Sequence, residues 1–314
     1  VDIDTAGFTL GTGSLTLIEG ENDTISVVLT SKPTSNVVVS ASFLHSHFDG
    51  RATLINHQLT FTSANWDTAQ NVTASAINDF LDNGNVGPHD ITFQIVDASS
   101  DDVFDSLLNK TASLTVVDND AVGFTLSNSG SLTLIEGQND TISVVLNAQP
   151  GSNVVISASL HGDFSGRATL ANNVLTFTNA NWNIAQNVQI SASDDLFVNG
   201  NVGPKPITFE VVDASSDDDF DALANQTASL TVQDNDTAGF ELGTGSLVLV
   251  EGENDTISVR LTGRPISNVV ISSSLHANFD SRATLANNVL TFTSANWNTE
   301  QSVSYTHLTL PTKA

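Results

Sequence analysis

The chain of 314 residues holds 35 acidic and only 9 basic residues, which gives a formal net charge of −26 at pH 7. This charge excludes nucleic acid and anionic membrane surfaces as partners, because both are bound through lysine and arginine. The absence of cysteine excludes disulfides and thiol chemistry. Without an apolar run of about 18 residues, no membrane-spanning helix is predicted.

The sequence contains near-identical segments that recur at a nearly constant interval. The segment LTFTSANWDTAQNV begins at Leu59, and closely similar segments begin at Leu175 and Leu290. A second segment, LIEGENDTISVVL at Leu17, recurs at the same interval. The interval is too long for a solenoid repeat and fits tandem domains of about 116 residues, each large enough to bury its own core.

The repeat sets the predicted domain boundaries. Residues 1–4 (VDID) match residues 117–120 (VDND), so they are interpreted as the end of a preceding repeat, and the chain as a piece of a longer array. Complete repeats are predicted at 5–120 and 121–236, and a truncated third repeat at 237–303.

Residues 304–314 (SYTHLTLPTKA) break the repeat pattern directly after Val303. Together with Val303 they resemble a translated sequencing adaptor at the end of a metagenomic reading frame. This favours a non-native tail that is left out of the fold argument. The alternative is a genuine C-terminal strand.

Within the first repeat, short segments of alternating apolar and polar residues follow one another between turn signals. They predict strands at 8–10, 15–18, 25–29, 37–42, 52–54, 58–61, 70–77, 91–96 and 112–117. Apolar residues do not recur at helical spacing over any long stretch. Seven to nine short strands predict an all-β chain of tandem immunoglobulin-like antiparallel β-sandwiches. Because no Pro/Gly/Ser linker separates the repeats, they are expected to stack end to end as a rod.

A Glu-Gly turn, an Asp-Gly turn, the corner F-T-x-A-N-W-x-x-x-Q-x-V, the later S-S-D-D-x-F and a closing Asp-x-Asp together resemble Calx-beta domains. The closest resemblance is to the Calx-beta-like repeats of very large bacterial surface proteins, and it covers residues 1–303. It implies an extracellular or cell-surface location. It also implies Ca²⁺ at one end of each sandwich, held by loop carboxylates. The implied ligands are Glu19, Asp49, Asp79, Asp118 and Asp120 in the first repeat, and Glu136, Asp194, Asp195, Asp234 and Asp236 in the second.

The sequence departs from the Calx-beta pattern at several of these positions. Ser165 stands at the position of Asp49, and Asn119 interrupts the closing aspartates, as Asn235 does in the second repeat. Asn83 and Asn199 also fall where the family often carries a further acid. Fewer carboxylates are expected to weaken calcium binding, because ligand charge helps to set the affinity.

The residue types point to calcium independently of the resemblance. The candidate ligands are hard oxygen donors on loops, without sulfur or paired histidines, and this donor set suits Ca²⁺ better than zinc or copper. Clustered carboxylates also repel one another, so the repeat junctions are expected to loosen without a cation. The alternative is that these acids form only a solvated, solubilising surface.

One histidine, one arginine and one tryptophan recur at matching positions in every repeat. The tryptophans are expected to pack at the Asn-Trp corner, with sugar stacking as the alternative. The histidines, without a second histidine at ligand spacing, are expected to be structural, and the arginines to pair with nearby acids. These residues are His45, Arg51 and Trp66; His161, Arg167 and Trp182; His276, Arg282 and Trp297.

Asn-x-Ser/Thr sequons offer N-glycosylation sites if the chain meets a glycosylation system, although such short motifs also arise by chance. The sequons are at Asn22, Asn71, Asn109, Asn139, Asn225, Asn235 and Asn254.

No segment resembles a nucleophile elbow or a phosphate loop, so an enzyme is not expected. The loops are nearly as alike between repeats as the strands, for example NGNVGP at Asn83 and Asn199. This favours a structural spacer, either the shaft of an adhesin or a subunit of an extracellular fibre, with neighbouring repeats of the same or an identical chain as partners and glycans as further candidates. The alternative is a calcium-dependent carbohydrate- or ligand-binding module, whose loops should diverge between repeats.

Overall fold

A computed structural model describes residues 5–44, 46–279 and 282–308. Residues 1–4, His45, residues 280–281 and residues 309–314 lie outside the described part, and with them the predictions for the end of a preceding repeat, for His45 and for the last residues of the tail. The regular elements of the described residues are strands and short 3-10 turns. In this part of the chain, no helix is long and apolar enough to cross a bilayer.

The first repeat is a sandwich of two sheets. Its strands are β1 (Phe8–Leu10), β2 (Ser14–Ile18), β3 (Asn22–Leu29), β4 (Val37–Phe43), β5 (Ala52–Ile55), β6 (Gln58–Phe61), β7 (Gln70–Ala76), β8 (Val86–Ile95) and β9 (Lys110–Val117). One sheet has the order β1-β3-β7-β5, and the other has the order β2-β9-β8-β4-β6.

The second repeat has the same topology. Its strands are β10 (Phe124–Leu126), β11 (Ser131–Ile135), β12 (Asn139–Leu146), β13 (Val154–Leu160), β14 (Ala168–Ala171), β15 (Val174–Phe177), β16 (Gln186–Ala192), β17 (Val202–Val211) and β18 (Gln226–Gln233). The sheet orders, β10-β12-β16-β14 and β11-β18-β17-β13-β15, repeat those of the first unit strand for strand.

The alternation of the sequence explains why these strands form a sandwich. In β3, Ile25, Val27 and Leu29 are buried, while the residues between them face outward. Phe61 and Phe93 are fully buried between the sheets. Each such aromatic side chain contributes about 1.5–3 kcal/mol by leaving water. The predicted all-β, immunoglobulin-like tandem fold is therefore confirmed.

One strand pair differs from the predicted antiparallel arrangement. Strand β2 runs parallel to β9, with Ser14 opposite Ser113 and Ile18 opposite Val117, and β11 pairs with β18 in the same way. The two strands of each pair therefore end side by side. The loop that follows β2 and the segment that leaves β9 meet at the same end of the sandwich.

The third repeat forms only part of this architecture. Its strands are β19 (Phe240–Leu242), β20 (Asn254–Leu261), β21 (Val269–Ser272), β22 (Ala283–Ala286), β23 (Val289–Phe292) and β24 (Gln301–His307). They form a four-stranded sheet, β19-β20-β24-β22, and the pair β21-β23. The described residues contain no counterpart of β8 or β9. Residues 246–250, which match β2, are not a strand, and Val248 is 93% exposed.

The interpretation of residues 304–314 as a non-native tail stays a prediction, but the described residues of this segment join the third repeat. Ser304 to His307 continue β24, which pairs with β20 and β22 and takes the place of β7. Val303 is buried and Tyr305 packs against the small core of this repeat. The alternation of the segment VSYTH is sufficient for this pairing, because ladder hydrogen bonds involve only the backbone.

Candidate metal site at the repeat junctions

The ends of β2 and β9 bring a buried carboxylate to the edge of each complete repeat. The backbone N–H of Glu19 donates to the carbonyl oxygen of Val117 at 3.0 Å, which fixes the residue beside the last strand. Gly20 follows with a φ of 84°, a left-handed conformation that glycine adopts without steric cost. The Glu-Gly motif is thus a tight turn that reverses the chain directly after the acid.

Three carboxylates meet at this position in the first repeat. One oxygen from each of Glu19, Asp79 and Asp120 lies within 4.8 Å of the others. The Glu19 side chain is fully buried, and its Oε1 accepts a hydrogen bond from Arg51 Nη2 at 2.8 Å. Oε2 of Glu19 and Oδ2 of Asp120 are buried and have no hydrogen-bond partner among the described residues.

Asp118 holds the adjoining loop in place. Its Oδ2 accepts from the backbone N–H groups of Asn83 and Gly84 at 2.7 and 2.6 Å, and its Oδ1 accepts from the N–H of Asp120 at 2.8 Å. The amide of Asn83 donates to Oδ2 of Asp79 at 3.0 Å. Asn83 therefore stabilises Asp79 by a hydrogen bond, where a further acid would repel it.

The cluster carries more negative charge than its surroundings compensate. Burial raises the pKa of the Glu19 carboxyl above its ordinary value, while the hydrogen bond from Arg51 lowers it. Burial also raises the pKa of Asp120, and the charges of Asp118 and Asp79 raise it further. Both shifts show that these carboxylates lack full compensation for their charge.

The second repeat has a related cluster of Glu136, Asp234 and Asp236, again with oxygens within 4.8 Å of one another. Glu136 and Asp236 correspond to Glu19 and Asp120, but Asp234 corresponds to Asp118, and the counterpart of Asp79, Asp195, is not part of the cluster. Arg167 Nη2 donates to Oε1 of Glu136 at 2.8 Å. Burial raises the pKa of Asp236, as do the charges of Asp234, Asp195 and Asp194. Burial also acts to raise the pKa of Asp234, but hydrogen bonds from three backbone N–H groups outweigh it, and the net shift is downward.

The remaining predicted ligands lie at different places. Asp49 is exposed in the turn after a 3-10 segment and does not belong to the described cluster. Oδ1 of Asp195 accepts from the N–H of Phe197 at 2.7 Å, and Asp194 lies beside the Gly137 turn. In the third repeat Glu251 is exposed, and no acidic cluster forms among the described residues there.

The donor set fits a hard divalent cation. The buried oxygens without partners, Oε2 of Glu19 and Oδ2 of Asp120, lie in a group of carboxylates with no sulfur or imidazole nearby. Calcium takes oxygen ligands, including carboxylates on loops. The side chains of Glu19, Asp79 and Asp120, with Glu136, Asp234 and Asp236 in the second repeat, could therefore hold Ca²⁺.

The loop that carries Asp79 also contacts the next repeat. The N–H of Gln149 donates to the carbonyl oxygen of Phe80 at 2.7 Å, and the rings of Phe80 and Trp182 lie 5.8 Å apart. Oδ2 of Asp82 accepts from the N–H of Val122 at 3.0 Å. One loop thus belongs both to the carboxylate cluster of the first repeat and to the contact surface of the second.

The second junction uses the corresponding loop with different side chains. The N–H of Arg264 donates to the carbonyl oxygen of Leu196 at 2.7 Å, and the N–H of Val198 donates to the carbonyl oxygen of Arg264 at 3.3 Å. The Arg264 guanidinium lies 4.3 Å from the ring centroid of Phe197. Both junctions therefore have the hydrogen bond from the following repeat to a carbonyl oxygen of the loop. The ring contact between Phe80 and Trp182 at the first junction is replaced at the second by the contact between Arg264 and Phe197.

The recurring tryptophans pack at the corners of the sandwiches. Trp66 and Trp182 are partly buried against the cores of their repeats, and Trp297 packs against the smaller core of the third. Their backbone carbonyls accept hydrogen bonds from neighbouring strands, such as the one from Leu29 to Trp66 at 3.1 Å. This arrangement supports the packing role.

All seven sequon asparagines are exposed in the described residues. Asn235 differs from the others, because its amide donates to the carbonyl oxygen of Glu136 at 3.3 Å. Asn119 makes the same contact to Glu19 in the first repeat. These amides fasten the closing segment to the Glu-Gly turn, and a glycan on Asn235 would remove that contact.

Comparison with known proteins assigns no family. No family model matches the sequence, and no curated protein matches it. The solved calcium-binding domain CBD12 of CALX1.1 is similar at 12% identity, over 65% of this chain and 78% of that chain, with a TM-score of 0.34. The titin domains z1z2 in complex with telethonin are similar at 13% identity over 74% and 100%, with a TM-score of 0.32. Domains 4 and 5 of the S-layer protein SbsC follow at 15% identity over 46% and 66%, with a TM-score of 0.26. At these TM-scores the likenesses carry no argument about function.

Proposed function

We propose that the chain is an extracellular structural repeat array, the shaft of an adhesin or a subunit of a fibre, whose repeat junctions are stiffened by Ca²⁺. The observation that supports this proposal is the double role of the Asp79 loop. Asp79 belongs to the carboxylate cluster, and the next residue, Phe80, contacts the following repeat through its ring and its carbonyl oxygen.

Bound Ca²⁺ would supply the positive charge that the cluster lacks. Glu19, Asp79 and Asp120 would hold the ion, and Asp118 would keep the loop and the closing segment aligned through its hydrogen bonds to backbone N–H groups. Glu19 comes from the β2 turn, Asp79 from the loop that contacts the next repeat, and Asp120 from the connection between repeats. An ion bound to all three would therefore restrain the hinge between the two sandwiches.

The short connection between repeats favours an extended array. Strand β9 ends at Val117 and β10 begins at Phe124, so few residues are available for folding back. Strands of this length rise by about 3.3 Å per residue, and with loops at both ends each repeat should add about 40 Å. The alternative, a carbohydrate-binding module, gains no support from the tryptophans, which pack at corners rather than forming an open platform.

Calorimetry on the full chain tests the calcium site. We expect about two equivalents of Ca²⁺ to bind in the 10⁻⁴–10⁻³ M range that is typical of extracellular modules, and Mg²⁺ to bind more weakly. A variant with both Glu19→Gln and Glu136→Gln keeps the side-chain volume and an acceptor for each arginine, and should lose this binding. Asp49→Asn is the matched control, because that carboxylate is exposed outside the cluster. Undiminished binding by the double variant would refute the assigned site.

Small-angle scattering with and without Ca²⁺ tests the array itself. A maximum dimension that grows by about one domain length per repeat, and a narrower distribution of shapes with Ca²⁺, are expected. A compact profile in Ca²⁺, close to that of one globule of the same mass, would exclude the shaft. This shape measurement is independent of calcium binding, so the two parts of the proposal can fail separately.

A further inference from the structure

Two imidazole rings face each other on the side of the first repeat. His47 lies on the 3-10 turn Ser46–Phe48, and His89 lies on β8. Their ring centroids are 4.0 Å apart, with an angle of 34° between the planes. Both rings line a cleft of about 260 Å³, which Phe48 and Pro88 also line. The cluster of carboxylates at the junction does not include these residues.

The same two positions also face each other in the second repeat, but with different side chains. Asp163 takes the place of His47 and Lys205 takes the place of His89, and their charged groups form an ion pair at 2.9 Å. In the third repeat Asn278 stands on the corresponding 3-10 turn, and the described residues contain no counterpart of β8. The fold thus places two side chains in contact at these positions, and among the described residues the first repeat alone has two imidazoles there.

We propose that His47 and His89 bind a divalent transition-metal ion of the Zn²⁺ class. Imidazole nitrogen is a preferred ligand of Zn²⁺, Cu²⁺ and Ni²⁺, and it is a poor ligand for Ca²⁺. Two zinc–nitrogen bonds of about 2.0–2.1 Å at a tetrahedral angle require ligand nitrogens about 3.3 Å apart. Because the ion lies in the plane of each bound imidazole, the two ring centroids of such a site are about 5 Å apart. The rings, now 4.0 Å apart, must therefore separate by about 1 Å and turn their nitrogens toward a common point, which the exposed His47 reaches by rotation of its side-chain torsions.

The surroundings favour a defined site at this pair. Phe48 is fully buried and packs edge-on against His89, with centroids 5.7 Å apart and planes at 78°. Phe43 also packs against Phe48, with ring centroids 4.8 Å apart. These contacts hold the His89 ring in one orientation, while the exposed His47 can adjust to the ion. The backbone of β8 fixes the first ligand, and the cleft leaves the remaining positions of the ion to water.

The test uses the full chain in millimolar Ca²⁺, so that the hard-cation sites are occupied before ZnCl₂ is titrated by calorimetry. We expect one equivalent of Zn²⁺ to bind. The double variant His47→Asp with His89→Lys installs the ion pair of the second repeat, a combination that this fold already accommodates. Because even changes outside the ligand sphere cost about 10–100-fold in metal affinity, the loss of both ligands should weaken binding by about 100-fold or more. Unchanged Zn²⁺ affinity in the double variant would overturn the proposal.

A second measurement on the unaltered protein does not depend on how the variant folds. Nitrogen-15 NMR of the imidazoles should show Zn²⁺-induced shifts at His47 and His89, with His161 and His276 unmoved. Shifts confined to other histidines, or Zn²⁺ that Ca²⁺ displaces in proportion to its concentration, would assign the ion to another site and refute the proposal.

Discussion

Truncation of Phe80 to alanine tests whether the junction is an energetic contact. The Phe80 side chain is 49% exposed, so about half of its surface, on the order of 100 Å², is buried. At about 25 cal/mol per Å², this burial contributes at most about 2.5 kcal/mol. Phe80 also adopts a φ of 70°, which is costly for a residue with a side chain and is retained only where contacts compensate. We therefore expect Phe80→Ala to weaken the coupling between repeats by about 1–2.5 kcal/mol.

Hydrogen exchange of the Gln149 amide is the direct assay, because this N–H donates to the carbonyl oxygen of Phe80 across the junction. The substitution keeps that carbonyl, so faster exchange at Gln149 would report the lost ring contact with Trp182. A coupling of about 1.4 kcal/mol corresponds to a tenfold change in the opening equilibrium. Leu108→Ala, at a side chain that is 87% exposed, is the control and should change nothing measurable. Unaltered exchange at Gln149 in Phe80→Ala would refute the reasoning.

The other predictions concern the core, the turn and the charge cluster. Phe93→Ala removes a fully buried ring and should cost about 3–5 kcal/mol in urea unfolding, whereas Val103→Ala, 65% exposed, should cost less than about 0.5 kcal/mol. Gly20→Ala forces a side chain into a left-handed turn, so we expect a loss of about 1–2 kcal/mol together with weaker Ca²⁺ binding in calorimetry. Acidification of the calcium-free chain should raise its free energy of unfolding, because the folded pKa values of Glu19 and Asp120 are raised. That gain in the free energy of unfolding begins as the pH falls through the raised pKa values and is complete below the ordinary values of 4.5 for Glu19 and 3.8 for Asp120. Bound Ca²⁺ should reverse this trend in urea titrations. A calcium-free chain whose stability only decreases as the pH is lowered toward 4.5 would contradict the assignment.

The sequence predicts most of the fold because burial follows the two-residue period of the strands. Ile25, Val27 and Leu29 alternate with outward residues in the sequence and also in the structure. Glycine-bearing turns between such segments leave few architectures other than a sandwich. The parallel pairing of β2 with β9 was not predictable in the same way, because alternation along a strand carries no information about its partner's direction.

The candidate site was predictable only in part. The Glu-Gly turn and the closing Asp-x-Asp indicate where acids gather, but the resemblance also placed Asp49 among the ligands. The structure has Asp49 exposed in a turn outside the cluster. The position of Asp49 depends on the 3-10 segment after β4. A single acidic residue in a polar loop does not indicate in the sequence whether its side chain faces the cluster or the solvent.

Contacts between distant positions could not be predicted from local patterns. His47 and His89 belong to segments far apart in the sequence, and the pairing of β4 with β8 brings them together. Only a comparison of the repeats carries a signal, since the corresponding residues Asp163 and Lys205 have opposite charges. Phe80 contacts Trp182 of the next repeat, and the alternation of apolar and polar residues within a strand does not predict contacts between repeats.

The parallel pairing of β2 with β9 has a consequence for the order of events during synthesis. Ser14 and Ser113 are partners, so an early strand must wait for about 100 further residues, which a ribosome adds in about 5–20 s. The described part of the third repeat contains no counterpart of β9, and there the segment 246–250 is not a strand and Val248 is 93% exposed, as expected for a β2 that has no partner. A growing array would therefore always expose an unfinished sandwich at the ribosome. Glu19 lies next to β9, so its carboxylate cluster would assemble only when that repeat closes.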